Sequence, residues 1–222
     1  MKLIESSSII PNWPSLILLL LIRDKCETFR LLIQEISDLK MSVSHTTRLK
    51  RPKEINGDHY WFVDKKTFQQ LISQDDMLEW AKVFDNYYGT SCFELDRITR
   101  GGCKVLIEVD VQGWHNLKKI LHNAQSIFIL PPSMEKLWER LSKRDTNTSE
   151  EIALRIQTSI KEMSFAHDFD FFVVNDSLEE TYNCLYNFIK YGRPLNMNKK
   201  QGILHCKNLI KEFPKIKDRL FK

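Results

Sequence analysis

Apolar positions along the chain gather into three short runs rich in β-branched and aromatic residues, Val105–Val109, Ser126–Leu130 and Phe171–Val174. Runs of this length without polar alternation predict strands buried on both faces, as in a parallel sheet. Helical patterns with start signals lie between and after them. Pro131-Pro132-Ser133 closes the second run and offers Ser133 as N-cap for a helix over Met134–Lys143. Thr148 with Glu151 makes a capping box opening Ile152–Phe165, and Ser177 with Glu180 opens a helix to about Tyr191. Strand–helix–strand alternation predicts an α/β fold with right-handed crossovers.

The stretch from Ser42 to Thr90 follows another rhythm. It holds short β-like pieces (Met41–His45, His59–Val63), a turn at Asn56-Gly57-Asp58, and a helix over Lys66–Gln74 capped by Asp64. This predicts a small mixed lobe inserted into the α/β body. A further apolar run, Leu16–Ile22, is seven residues long, where a membrane-spanning helix needs about 20. Pro11 and Pro14 before it, and Arg23, Asp24 and Lys25 after it with no small-residue cleavage site, do not read as a signal peptide. No internal repeat or low-complexity segment stands out.

Composition narrows the class. The chain has 222 residues, 42% hydrophobic and 28% charged, with only seven Gly and seven Pro, which excludes disorder, collagen and coiled coil. Five scattered cysteines with no C-x-x-C pair argue against a disulfide framework or a zinc site and point to a reducing, cytoplasmic setting. Net charge is +4, unevenly placed: residues 190–222 carry ten Lys/Arg against Glu212 and Asp218, or +8, leaving −4 on the rest. A mildly acidic body with a basic tail is a poor nucleic-acid binder by charge, and the tail reads as a solvated helical extension. No membrane partner is implied.

The densest chemical signal is Ser42-Val43-Ser44-His45-Thr46-Thr47-Arg48-Leu49-Lys50-Arg51. Two arginines three apart after a hydroxyl-rich strand can fork around one phosphate, because each guanidinium offers planar bidentate donors. A solvated basic loop is an equal reading of that segment alone. Gly57-Asp58-His59-Tyr60, Leu78-Glu79-Trp80-Ala81 and Asn86-Tyr87-Tyr88-Gly89-Thr90 shift the balance. Two tyrosine hydroxyls, one carboxylate and small hydroxyls complement a purine monophosphate held by its phosphate.

Taken in order, S-V-S-H-T-T-R-x-x-R, G-D-H-Y, E-W-A, N-Y-Y-G-T, I-E-V-D-V-Q-G, I-L-P-P-S and V-V-N-D resemble the guanylate kinase family from about Met41 to Ile189, roughly two-thirds of the chain. The resemblance implies an α/β, P-loop-kinase-like parallel sheet with flanking helices, a small mixed α+β GMP-binding lobe (about 42–92) and a helical lid (about 134–165). It places the family domain at 41–191, after an atypical segment 1–40 where the first strand, phosphate loop and first helix are expected, and before a basic extension 192–222. The implied reaction is phosphoryl transfer from ATP to GMP with Mg²⁺.

By the same resemblance Arg48, Arg51, Tyr60 and Tyr88 match a clamp on the GMP phosphate, and Ser44, Glu79, Thr90 and Asp110 match positions around guanine. The chemistry suits that base: O6 accepts from hydroxyls, while N1–H and the 2-amino group need carboxylate acceptors. Adenine would leave Glu79 unpaired, and a site built on such bonds can reject an analogue by about 10⁴-fold or more. Arg140, Arg144 and Arg155 match lid arginines that neutralise the transferring phosphoryl group. Asp145 stands where the family usually has Gly. Glu108 and Asp110 end a strand at the sheet's carboxyl edge, and Asp110 is also a candidate magnesium ligand. Asn175 matches a position near the adenine of ATP.

One expected motif is missing. The family's loop, G-x-x-x-x-G-K-[ST], needs glycines so that backbone N–H groups can turn inward on the phosphates, and this chain has no glycine before Gly57. Lys25 falls near the loop lysine's register but is flanked by Asp24 and Glu27. Two accounts stand open. Either residues 1 to about 30 have replaced the ancestral segment, which the abrupt onset of motifs at Met41 favours, or the chain has shed ATP binding and serves as a module for GMP or a phosphorylated peptide. Both lead to one expectation, that GMP binds while its phosphorylation is poor or absent.

Overall fold

The computed structural model describes residues 17–21, 27–83, 85–143 and 149–220. Five strands form a parallel sheet: β1 (Ile17–Leu21), β2 (Leu39–Met41), β7 (Lys104–Val109), β8 (Gln125–Leu130) and β9 (Phe171–Val174), in the order β2-β7-β1-β8-β9. Within the short apolar run of the amino-terminal segment, Ile17–Leu21 is therefore the central strand, paired on both sides. Neighbours β1 and β8 lead on to strands at opposite edges, so the sheet's switch point lies between them, where ligands bind in open α/β folds.

The strand faces alternate as a buried sheet requires. Val105, Ile107, Val109, Phe128, Leu130 and Phe172 enter one core cluster, and Leu106, Ile127, Ile129 and Val173 enter the other. Helices α1 (Glu27–Glu35) and α7 (Leu178–Tyr191) cover the second face. The first face lies under α3 (Cys92–Thr99), α4 (Val111–Ile120), α5 (Met134–Ser142), α6 (Ser149–Met163) and α8 (Lys199–Leu220), with a 3₁₀ turn at Ala166–Asp168 between α6 and β9. Ser133 caps α5 by accepting from the Lys136 N–H at 3.1 Å, and Ser177 caps α7 from Glu180 at 3.1 Å. Thr148 lies outside the described residues.

Between β2 and β7 the chain builds a second sheet from β3 (His45–Thr46), β4 (Trp61–Phe62), β5 (Met77–Val83) and β6 (Asn86–Ser91), ordered β4-β3-β6-β5. Helix α2 (Lys65–Ser73), capped by Asp64, packs on it through Phe68, whose ring stacks on Tyr87 at 5.4 Å. The stretch Met41–His45, expected as one β piece, is divided: Met41 belongs to the parallel sheet, His45 to the small one, and residues 42–44 cross between them.

The basic tail is helical but not simply solvated. Cys206 and Leu209 of α8 are buried in the core, and Gly202 presses on Phe172 so closely that a Cβ there would stand 2.1 Å from the ring. Charge density hid this packing, because the stripe Gly202, Cys206 and Leu209 is narrow among lysines.

Candidate active site

The site begins where residues 42–44 leave the parallel sheet. Ser42 N–H donates to Leu106 O at 2.8 Å, Val43 N–H to Glu94 Oε1 at 2.9 Å, and Trp61 N–H to Ser44 O at 2.9 Å. Glu94 has no solvent exposure. It also accepts from the Trp61 indole at 3.2 Å and from Arg97 at 2.7 and 3.1 Å. Burial works against its ionisation, but the bonds from Arg97, the Val43 N–H and Trp61 outweigh that and hold its carboxyl below the ordinary 4.5. Sequence reading assigned Glu94 nothing; its only signal was a carboxylate on the apolar face of a short helix.

Past β3 the chain turns through Arg48 to Glu54. Arg48 grips Glu54 with both η nitrogens, at 3.0 and 2.7 Å, and Glu54 also accepts from the Arg51 N–H at 2.8 Å. Hydrogen bonding to Arg48 is the main cause that pulls Glu54 down to about 2. The guanidinium lies 5.4 Å from the Tyr60 ring centre and 5.6 Å from that of Phe62. A cavity of about 640 Å³ opens beside this pair, lined by Arg48, Arg51, Pro52, Lys53, Glu54, His59, Tyr60 and Tyr88. The Tyr60 and Tyr88 rings meet edge to face at 6.1 Å. Burial, with Glu108 nearby, pushes the Tyr60 hydroxyl up to about 12, so it stays a donor.

The Glu79 carboxyl does not line that cavity. It sits on the neighbouring strand β5, opposite Thr90 of β6, and Tyr88 and Thr90 project from the same face of β6 about 7 Å apart. Thr90 Oγ1 donates to Glu79 Oε1 at 2.8 Å, and both residues are buried. Between them Gly89 has no room for a Cβ, which would stand 2.5 Å from Glu79 O; this bare backbone lets β5 and β6 close on one another. Burial lifts Glu79 to about 7, the Thr90 bond opposes the rise, and Asp110 adds to it. Oε2 of Glu79 faces Gly113 in the first turn of α4, and Asp110 Oδ1 caps that helix by accepting from the Gly113 N–H at 2.8 Å. Ser44 is half-buried just before β3.

Across the sheet edge, Arg140 of α5 donates to the carbonyls of Asn175 and Asp176 at 2.8 and 2.9 Å, just past β9. The Asn175 side chain accepts from Thr181 at 3.2 Å. Arg155 lies half-buried on α6. Arg144 and Lys25 lie outside the described residues, so the expected shared helical face of Arg140 and Arg144 falls there too, α5 ending at Ser142. No group of three or more His, Cys, Asp and Glu gathers for a metal among the described residues. No described helix is long and apolar enough to cross a membrane.

These groups can hold an anion in the cationic cavity and present a buried acceptor and hydroxyl to a polar ring edge. Glu54, Lys53 and His59 were missed by sequence reading. Glu54 carried one available signal, its spacing of six and three residues from Arg48 and Arg51.

The guanylate kinase family model matches residues 26–191. The guanylate kinase of Pseudoalteromonas translucida (strain TAC 125) is 44% identical over 155 residues, covering 70% of this chain and 75% of that one. That of Escherichia coli O157:H7 is 40% identical over 168 residues, covering 76% and 81%. Among solved structures, guanylate kinase from Anaplasma phagocytophilum superposes with a TM-score of 0.63 at 28% identity, covering 81% of this chain and 86% of that one.

Proposed function

This chain belongs to the guanylate kinase family, and from that premise we propose that it binds GMP in the cavity beside Arg48 and transfers a phosphoryl group to it poorly or not at all. The observation that carries the reading is the convergence of Arg48, Arg51, Tyr60 and Tyr88 on one cavity, with the buried Glu79–Thr90 pair joining β5 to β6, the strand that carries Tyr88. The phosphate sits among the arginines and tyrosine hydroxyls. Ionised Glu79, held by the Thr90 hydroxyl, accepts from guanine N1–H and the 2-amino group, Asp110 offers a second carboxylate, and the Ser44 hydroxyl donates to O6. Adenine reverses that pattern and leaves the buried Glu79 carboxylate without a donor from the base.

On the ATP side, Arg140, Arg144 and Arg155 belong to the lid that would face the transferring group, and Asn175 stands where adenine would lie. Phosphoryl transfer rests mainly on positioning and charge neutralisation, so a missing phosphate cradle is costly. Residues 22–26, between β1 and α1, are Ile-Arg-Asp-Lys-Cys without a glycine, and Lys25 has acids on either side. The described residues do not form a magnesium site of their own: Asp110 has Oδ1 committed to the α4 cap. Where Mg²⁺ accompanies ATP, Asp110 would offer at most its remaining carboxylate oxygen, and the ion would neutralise phosphate charge. A cytoplasmic place in purine nucleotide metabolism, with small-molecule partners, is part of this reading.

The glycine-free connection also favours a second reading, an inactive module whose cavity takes GMP or a phosphorylated peptide. Calorimetry with GMP, AMP, ATP–Mg²⁺ and a phosphopeptide, joined to a coupled turnover assay, tests both. GMP should bind and AMP should not, with turnover far below the roughly 1–100 s⁻¹ of active kinases. Turnover in that range overturns the inactivity, and equal affinity of wild type and Arg51→Ala for GMP overturns the clamp.

A further inference from the structure

We infer that Lys53 is a phosphate-binding residue of the cavity and, with Arg51, makes it selective for a phosphate monoester dianion. This rests on the reading that the cavity takes a nucleoside monophosphate. Three cations and one carboxylate line its wall: Arg48, Arg51, Lys53 and Glu54. Arg48 and Glu54 form a bidentate pair, their side chains only 19% and 12% exposed, so their charges largely cancel. Neither Arg51 nor Lys53 enters an ion pair among the described residues. His59 adds no fixed charge when neutral; its Nδ1 accepts from the Ile55 N–H at 3.1 Å. Two positive charges remain, matching the −1.5 to −2 of a phosphate monoester near neutral pH.

Backbone geometry sets these cations side by side. The Glu54 N–H closes a turn on Arg51 O at 3.0 Å, with Pro52 and Lys53 as its central residues. Proline stiffens the first corner position, so Arg51 and Lys53 lie on a short rigid corner whose far end is anchored by Glu54 to Arg48. Arginine supplies a planar fork, and lysine a point charge on a flexible stem that follows the remaining phosphate oxygens. A methyl ester of the same phosphate keeps one negative charge and leaves one of the two cations unmatched.

Calorimetry on the full chain, wild type and Lys53→Gln, with GMP, guanosine 5′-methylphosphate and guanosine tests this. Lys53→Gln should weaken GMP about fivefold, the scale of one partly exposed ion contact, narrow the preference for GMP over the methyl ester, and leave guanosine unchanged. Lys53→Arg should retain most of the GMP affinity. A Lys53→Gln chain that binds GMP like wild type overturns the inference, and so does one that loses guanosine and GMP equally. A wild type that binds no GMP is a separate result and overturns the nucleotide reading with it.

Discussion

The Thr90 hydroxyl donates to Glu79 Oε1 across 2.8 Å at a point where Thr90 has no solvent exposure and Glu79 only 9%. A carboxyl in that setting, lifted to about 7 by burial, is divided between two protonation states near neutrality. Only the ionised one accepts from both guanine N1–H and the 2-amino group.

GMP affinity should therefore rise with pH between 6 and 8. The phosphate's own titration near 6 adds to the rise, so Glu79→Gln is the reference: weaker than wild type by tenfold or more, and flatter above pH 7. The unliganded chain responds in the opposite direction. Because folding raises this carboxyl from 4.5 to about 7, its contribution is complete below about 4.5 and is lost as pH climbs through 7. Urea midpoints of wild type relative to Glu79→Gln should fall from pH 5 to pH 8. Parallel profiles in both measurements would remove Glu79 from the base site.

Where one side chain answered a local backbone need, sequence reading found it. Asp64, Ser133 and Ser177 cap the helices they were expected to open, and three of the five parallel strands follow from mainly apolar runs. The central strand β1 was not recognised, because seven apolar residues say nothing of which neighbours they pair with. Glu54 and Glu94 were missed for a related reason. Their roles come from partners that folding brings together, Arg48 in one case and Val43 and Trp61 in the other. Periodicity registers that a residue is polar and not whom it meets.

Glu94→Ala should destabilise the chain by about 2–5 kcal/mol, since two N–H donors, of Val43 and the Trp61 indole, lose their acceptor in a buried place. Arg97, 46% exposed, can turn to water. With its carboxyl held below 4.5, Glu94 contributes stability that is present above that value and lost as pH falls. The variant should show a flatter acid limb in thermal melts from pH 6 to 3. GMP affinity should drop as well, because Val43 precedes Ser44 and the strand leading to Arg48. An unchanged melting temperature would contradict the anchoring role.

Gly202→Ala should cost about 1–3 kcal/mol, since its Cβ would fall 2.1 Å from the Phe172 ring in the middle of the parallel sheet's helical cover. Chemical denaturation should show a lower midpoint at unchanged slope, and Phe172→Leu should restore part of the loss by clearing the ring. A neutral Gly202→Ala would mean that α8 docks less tightly than its buried Cys206 and Leu209 imply.

Arg140→Ala removes two charge-assisted bonds to the carbonyls of Asn175 and Asp176. Amide exchange over residues 175–180 should quicken, and global stability should fall by about 1–3 kcal/mol. GMP affinity should stay within twofold, because the cavity beside Arg48 lies in the other lobe. A GMP loss as large as that of Arg51→Ala would show the two regions to be coupled through the bound nucleotide.

The last expectation concerns what the chain lacks. Strand β1 runs parallel between β7 and β8, and α1 begins at Glu27, so the scaffold that would aim a phosphate loop at the switch point is present. Only the linking sequence, Ile22-Arg23-Asp24-Lys25-Cys26, is wrong for it. Replacing residues 22–26 with an eight-residue Gly-x-x-x-x-Gly-Lys-Ser segment supplies the inward N–H groups, the lysine and the hydroxyl together, and removes the repelling Asp24. ATP–Mg²⁺ binding should appear by calorimetry, and coupled turnover should rise by at least 100-fold over the unaltered chain, with GMP affinity unchanged. A graft that folds, binds ATP and still fails to phosphorylate GMP would move the defect away from the β1–α1 connection. The carboxylate of Asp145 beside Arg144 would then be the next residue to replace, by glycine.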